Sequence, residues 1–152
     1  MTKRNMRPFK LVVALAALMA LSSCELETSG NGSLDGFWHM ERVDTLETGG
    51  VNNLSQDYFF WAFQHKLLSV SHKKWEHPEV LFRFSHQADS LVLSNPIISD
   101  RMIGDKVVDS DSLFVIAPYG INKKEERFRV ETLNSSRMVL NNGKLRLSFK
   151  KF

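Results

Sequence analysis

Five histidines and one cysteine are the side chains of this sequence that could bind a transition metal or act as strong nucleophiles. The histidines are His39, His65, His72, His77 and His86. A zinc site needs several imidazoles or thiolates that converge on one point, and neither an HxH nor an HExxH spacing is present to bring these histidines together. Histidines on exposed strand surfaces are the simpler interpretation, so we predict no metal site and no cofactor.

Other catalytic patterns are incomplete. Asp109-Ser110-Asp111 resembles the start of a calcium-binding loop, but the glycine at the sixth position and the glutamate at the twelfth are missing. The sequence has no G-x-S-x-G nucleophile motif, and no two carboxylates stand out as the facing pair that a glycosidase needs. We therefore predict no catalytic residues and a protein that is not an enzyme.

The single cysteine, Cys24, follows an N-terminal targeting segment. Four basic residues come first: Lys3, Arg4, Arg7 and Lys10. An uncharged apolar run then covers residues 11–21, and two serines separate it from Cys24. This order is typical of a signal peptide, and the run is too short for a membrane-spanning helix, which needs about 20 residues. The sequence predicts a signal peptide over residues 1–23.

The stretch Leu21-Ser22-Ser23-Cys24 resembles the lipobox of bacterial lipoproteins, which are cut just before a cysteine that carries diacylglycerol on its sulfur. Lipidation accounts for a lone thiol in an exported protein, which has no disulfide partner within its chain. An ordinary signal peptide with a chance cysteine near the cut is the alternative. The resemblance implies two or three acyl chains including palmitate, a firmer anchor than one chain. We expect an outer-membrane lipoprotein of the cell envelope, either periplasmic or surface-exposed, that is lipidated at Cys24.

Removal of the signal peptide changes the charge of the chain. The full sequence has 20 Lys+Arg and 17 Asp+Glu, for a net charge of +3. All four basic residues of the signal peptide leave with it, so 16 remain against 17 acidic residues and the net charge becomes −1. We therefore predict no binding to nucleic acid. Residues 24–35 are polar and predict a flexible tether.

The remaining residues, 36–152, predict one all-β domain. Apolar and polar side chains alternate with a period of two, which is typical of half-buried antiparallel strands. Asn142-Gly143 supplies the positive φ angles that a tight hairpin needs. The predicted strands are 36–44, 57–64, 66–73, 79–86, 90–95, 126–133, 136–141 and 144–151. About eight strands in sequential hairpins favour an antiparallel up-and-down barrel, and a two-sheet sandwich is the alternative.

Alternation is lost between residues 96 and 120, where two prolines and two glycines lie. Residues 109–116 could form a short helix with Asp109 or Ser110 as its N-cap. We predict that 96–120 is a lid or plug at one mouth of the barrel.

Gly36-Phe37-Trp38, at the start of the first strand, resembles the Gly-x-Trp motif of lipocalins. The resemblance implies that Gly36 and Trp38 close one end of the barrel, and that a basic residue of the last strand packs across the tryptophan. Arg146 and Lys150 are the candidates. Residues 60–64, 89–91, 128–133 and 145–152 are similar to lipocalin-like lipoproteins of Bacteroidetes, most of which have no assigned activity.

The aromatic run from Tyr58 to Phe63 is the most unusual feature of the domain. By alternation Phe59, Trp61 and Phe63 share one face of a strand. We predict that this face binds a small apolar or amphipathic ligand at the mouth beside 96–120, with Trp61 facing it. Large aromatic residues could instead fill the barrel completely. The alternative function is then an interaction subunit that docks a protein partner of a surface complex.

Overall fold

The computed structural model describes residues 29–152. The predicted signal peptide, Cys24 and the first part of the predicted tether lie outside the described residues. The strands are β1 (Gly36–Thr45), β2 (Gly50–Asn53), β3 (Phe59–Gln64), β4 (Leu67–His72), β5 (Val80–Gln87), β6 (Ser90–Ile98), β7 (Lys106–Val107), β8 (Glu126–Leu133), β9 (Arg137–Asn141) and β10 (Leu145–Lys151). Short 3-10 helices cover Gly32–Leu34, Ser110–Val115 and Ala117–Tyr119. Between residues 29 and 152, no helix has the length and apolar character that crossing a bilayer requires.

Eight of these strands close into an antiparallel barrel. Hydrogen-bonded neighbours follow the order β1-β3-β4-β5-β6-β8-β9-β10, and β10 pairs back onto β1 from Trp38↔Lys151 to Thr45↔Leu145. Closure removes the free edges that an open sheet would expose. The predicted up-and-down barrel is confirmed, and the alternative of a two-sheet sandwich is excluded.

The direction of the strands defines two ends of the barrel. Residues 29–35 attach where β1 begins, and the β3–β4, β5–β6 and β8–β9 turns reach the same end because neighbouring strands run antiparallel. We call this the N-terminal end. We call the opposite end the plug end, and it carries the segments 46–58, 73–79, 99–125 and 142–144.

Alternation along each strand places the core inside the barrel. In β5, Val80, Phe82 and Phe84 are buried whereas Arg83 between them is exposed. Burying a large apolar side chain contributes about 1.5–3 kcal/mol, so a strand of this pattern is held with one face inward. The hairpin between β9 and β10 also forms as predicted, with Gly143 at a φ of 88°.

Two short strands were not predicted. β2 pairs with the second half of β1, from Arg42↔Asn53 to Thr45↔Gly50, beyond the point where β3 pairs with β1. All four residues of β2 are exposed, so no apolar alternation marks it in the sequence. β7 has only two residues and adds to the end of β6. Both strands lie at the plug end.

Residues 96–120 plug this end of the barrel, as predicted. Asp109 caps the 3-10 helix Ser110–Val115, because its carboxylate accepts a hydrogen bond from the Asp111 backbone N–H at 3.1 Å. Ile116 and Tyr119 are fully buried. Gly120, at a φ of 78°, lies so close to β10 that an added Cβ would be 2.7 Å from Leu147 Cδ2.

Candidate functional site

Trp38 closes the N-terminal end of the barrel. Its side chain is fully buried, and its indole Nε1 donates a hydrogen bond to the Leu34 carbonyl at 2.9 Å. Lys151 Nζ lies 4.8 Å from the centroid of the Trp38 ring and donates to the Ser33 carbonyl at 3.0 Å. The Lys151 ammonium group therefore contacts both the Trp38 ring and the backbone of Ser33, which crosses this end of the barrel.

Gly36 makes room for that lysine. Its φ is 112°, and an added Cβ would lie 3.0 Å from Lys151 Cε. The sequence analysis offered Arg146 and Lys150 as the cation over Trp38, and that prediction was wrong. Lys151 stands directly opposite Trp38 in the register of β1 and β10, whereas Arg146 Nε lies 2.6 Å from Glu131 Oε2.

Side chains fill the interior around Trp61. The indole is fully buried, and its ring centroid lies 5.0 Å from Phe149, 5.9 Å from Phe128 and 6.2 Å from Phe63. Trp61 and Phe63 share the inward face of β3, as alternation predicts. Trp61 Nε1 has no hydrogen-bond acceptor among residues 29–152. The aromatic strand thus contributes mainly to the core at these two positions.

Phe59, the third predicted ligand-binding residue, lies at the plug end. Its ring centroid is 4.7 Å from His72, 5.4 Å from His77 and 5.7 Å from Tyr119. The Tyr119 hydroxyl donates to the Pro78 carbonyl at 2.7 Å. Burial, with the nearby charge of Glu79, raises the pKa of Tyr119 well above its usual range, so the phenol stays protonated. The rings of Phe59, His72, His77 and Tyr119 thus pack together and close the barrel at the plug end. We call them the aromatic seal.

The two histidines beside Phe59, His72 and His77, belong to no group of potential metal ligands in the described residues. Within the described part of the chain, no three histidine, cysteine, aspartate or glutamate side chains are grouped so that they could hold a metal ion. His72 is buried between aromatic rings, and its Nδ1 lies 3.4 Å from the Glu76 backbone N–H.

A cleft of about 410 Å³ opens beside this seal, between segment 73–79 and the residues after β6. We call it the Trp75 cleft. It is lined by Trp75, His77, Pro78, Glu79, Ser99, Asp100, Arg101 and Met102. Trp75 is 84% exposed and has a φ of 63°, a conformation that bulky residues rarely adopt. The Asp100 carboxylate accepts from the Met102 and Ile103 backbone N–H groups and so shapes the opposite wall.

Sequence reasoning missed the Trp75 cleft. Trp75 follows two lysines and precedes a glutamate, so its surroundings indicate a solvated loop. The residues of the opposite wall follow 20 and more positions later, and only the pairing of β5 with β6 brings the two segments together. A bulky apolar residue within a charged loop was the one available signal.

A second aromatic group covers the outside of the barrel. Phe60 points outward from β3, and its ring centroid lies 4.7 Å from Phe37, 4.9 Å from His39 and 5.5 Å from Phe152. We call these four residues the outer aromatic cluster. Lys73 Nζ lies 4.8 Å from the centroid of the Phe37 ring. The outward side of the aromatic strand is thus partly covered by the chain itself.

A closed eight-stranded up-and-down barrel, with a buried tryptophan and a lysine across it at one end, is the architecture of lipocalin-type proteins. The model of the lipocalin-like domain family matches residues 19–152. The chain belongs to this family, so the predicted resemblance is confirmed.

Two solved structures share the fold. A lipocalin-like protein from Bacteroides uniformis superimposes with a TM-score of 0.59 and 19% identity, over 80% of this chain and 100% of that one. An uncharacterized protein from Bacteroides eggerthii gives a TM-score of 0.57 and 18% identity, over 78% of this chain and 99% of that one. A search of curated proteins gave no match.

Proposed function

We propose that this protein is a lipid-anchored lipoprotein of the cell envelope that binds a small amphipathic ligand in the Trp75 cleft and catalyses no reaction. The anchor rests on the apolar run 11–21 followed by Leu21-Ser22-Ser23-Cys24. The outer membrane is the proposed location, with lipid on Cys24 as the attachment. The lipocalin-like fold is typically a binding fold and not a catalytic one.

Because the interior of the barrel is packed with side chains, we place the proposed ligand site outside it. Barrels of about eight strands have room either for side chains or for one small ligand, and here Trp61, Phe128 and Phe149 occupy the space. Phe59 packs against Tyr119 of segment 96–120 and closes the barrel at the plug end. The Trp75 cleft therefore offers a ligand at the plug end a binding surface that requires no entry into the packed interior.

The observation that carries the proposal is the exposed indole of Trp75 beside a cleft of about 410 Å³. Ligand pockets of proteins commonly measure about 300–1,000 Å³ and combine apolar walls with a few polar groups. Trp75 and Met102 offer apolar surface. Arg101 offers a cation, and Glu79 and Asp100 offer carboxylates. This combination suits a molecule with one flat apolar part and one anionic or hydroxyl-bearing part.

The direct test is a titration with 1-anilinonaphthalene-8-sulfonate, whose flat rings and sulfonate match that description. We expect its binding to quench tryptophan emission in the wild type and in Trp61→Phe, but far less in Trp75→Phe. Arg101→Ala should weaken binding by about tenfold or more because a charge-assisted hydrogen bond is lost. Arg137→Ala, at the N-terminal end, is the matched control and should bind like the wild type. Equal affinities in the two arginine variants would contradict the proposal.

A second candidate function is that of an interaction subunit. It is favoured by the exposed apolar side chains of the plug end, among them Met102, Ile103 and Phe114, since such residues mark docking surfaces when they lie together. Native mass spectrometry of the protein extracted from its own membrane separates the two candidates. A bound small molecule supports the ligand-binding proposal, and a bound protein subunit supports this alternative.

A further inference from the structure

The outer aromatic cluster lies on the outer surface of the barrel, where the alternating side chains of a strand are normally polar. Phe60 is only 6% exposed although it points away from the core, because Phe37, His39 and Phe152 pack around it. Phe152 itself is 85% exposed. The barrel therefore carries a small second core on its outer surface, and its outermost ring faces solvent.

We propose that the outer aromatic cluster is the face of the barrel that rests on the bilayer in which Cys24 is anchored. This inference rests on the lipid anchor of the proposed function, and it adds an orientation that the anchor alone does not fix. Aromatic side chains with flanking lysines are the residues that proteins place at the boundary between headgroups and acyl chains.

The length of the tether brings this face close to the membrane. Cys24 precedes Ser29 by five positions, so their α-carbons are at most about 18 Å apart even in a fully extended chain. Ser29 and Phe37 line the same groove, a space of about 530 Å³ that Ala62 also lines. The chain therefore enters the described domain at the same end as the outer aromatic cluster and beside the same groove.

Lysines flank the cluster on both sides. On the β4 side, Lys73 reaches back from segment 73–79, so that its Nζ lies over the Phe37 ring. On the β10 side, Lys150 is exposed and stands opposite His39 in the strand register. Each lysine near an anionic bilayer increases the equilibrium constant for membrane binding by about fivefold. The charges therefore favour an anionic lipid surface as the occupant of this face.

The same geometry argues against a protein partner here. A partner would have to enter the space of about 18 Å that the tether allows between domain and bilayer. The plug end has no such restriction, because it lies at the far end of the barrel from Ser29.

The test uses the acylated, membrane-purified protein in vesicles of phosphatidylcholine and phosphatidylglycerol with bromine on the acyl chains. Intact mass first establishes the lipid on Cys24. Phe152→Trp then places an indole in the outer aromatic cluster, and Phe114→Trp, at a residue 74% exposed on the plug, places one at the far end. Both positions are exposed, so both variants should fold like the wild type.

We expect brominated lipid to quench the emission added by Phe152→Trp and not that added by Phe114→Trp. Vesicles without phosphatidylglycerol, or the double change Lys73→Ser with Lys150→Ser, should reduce the quenching. Equal quenching of the two reporters, or quenching of Phe114→Trp alone, would overturn the proposed orientation while leaving the anchor intact. An unacylated Cys24 in the membrane fraction would instead overturn the anchor.

Discussion

Replacing Trp38 with alanine tests whether the N-terminal end of the barrel is closed as the structure shows. The substitution removes a fully buried indole, its hydrogen bond to the Leu34 carbonyl and the ring beneath Lys151 Nζ. Emptying a buried large aromatic site costs about 3–5 kcal/mol of folding free energy. The Leu34 carbonyl also loses its donor, and a buried acceptor without a partner costs about 1–3 kcal/mol.

These contributions overlap, so we expect the free energy of unfolding to fall by about 4–5 kcal/mol, at the upper end of the range for aromatic truncation. With a urea dependence of about 2 kcal/mol per molar, the unfolding midpoint should fall by about 2 M. Trp38→Phe keeps most of the ring but not the donor, so it should cost about 1–2 kcal/mol.

Equilibrium unfolding in urea, followed by circular dichroism, measures these differences. Trp75→Ala is the matched control, because it removes the same side chain from an exposed position and should change stability by less than about 0.5 kcal/mol. A loss below about 1 kcal/mol in Trp38→Ala would refute the closure of this end by Trp38.

Three further changes test other parts of the molecule. Cys24→Ala should move the protein from the membrane fraction to the supernatant without changing its circular dichroism, and continued sedimentation with membranes would contradict the lipid anchor. Gly120→Ala should cost about 2 kcal/mol or more, since its added Cβ would clash with the fully buried Leu147 side chain, whereas Gly143→Ala, at a similar positive φ in open space, should cost about 1 kcal/mol in urea unfolding. A hydrogen bond from Asn141, with two nearby arginines, holds the pKa of Glu131 below its usual 4.5. Stability from this carboxylate is therefore present above that pH and lost as the pH falls through the folded-state pKa, so the advantage of wild type over Glu131→Gln should shrink on acidification.

The sequence could predict the barrel because its strands carry their own signal. Each half-buried strand must alternate apolar and polar residues, and the eight predicted strands match the eight strands of the barrel within a few residues. Asp109 was likewise found as the cap of a short helix because its side chain bonds the backbone locally. Features set by neighbours in sequence were predictable.

Features that depend on the register between strands could not be predicted from the sequence. Lys150 and Lys151 are adjacent and chemically alike, and only the pairing Trp38↔Lys151 decides which of them crosses the indole. The Trp75 cleft depends in the same way on the alignment of β5 with β6. Whether Trp61 lines a cavity or fills it depends on two aromatic residues from other strands, Phe128 and Phe149. No local pattern records these distances.

Removing the Trp61 side chain tests whether the interior of this barrel can hold a small ligand once space is made for it. Trp61→Ala should leave an apolar void lined by Phe63, Phe128 and Phe149. The indole Nε1 has no acceptor among residues 29–152, so its removal should leave no known polar group without a partner, and an apolar void of this kind stays dry. We expect Trp61→Ala to lose about 3–5 kcal/mol of stability.

Added indole should then occupy the void that Trp61→Ala creates. A ligand that binds only the folded state stabilises it by RT ln(1 + [L]/Kd), so about 1 mM indole with a Kd of about 0.1 mM would restore about 1.4 kcal/mol. The urea midpoint of Trp61→Ala should rise with indole concentration, while that of the wild type should not, because its interior is already filled. An equal response in both proteins would show that indole binds elsewhere. No response in Trp61→Ala would mean that the neighbouring phenylalanines collapse into the space, and the packed interior would then be a property of the whole core and not of Trp61.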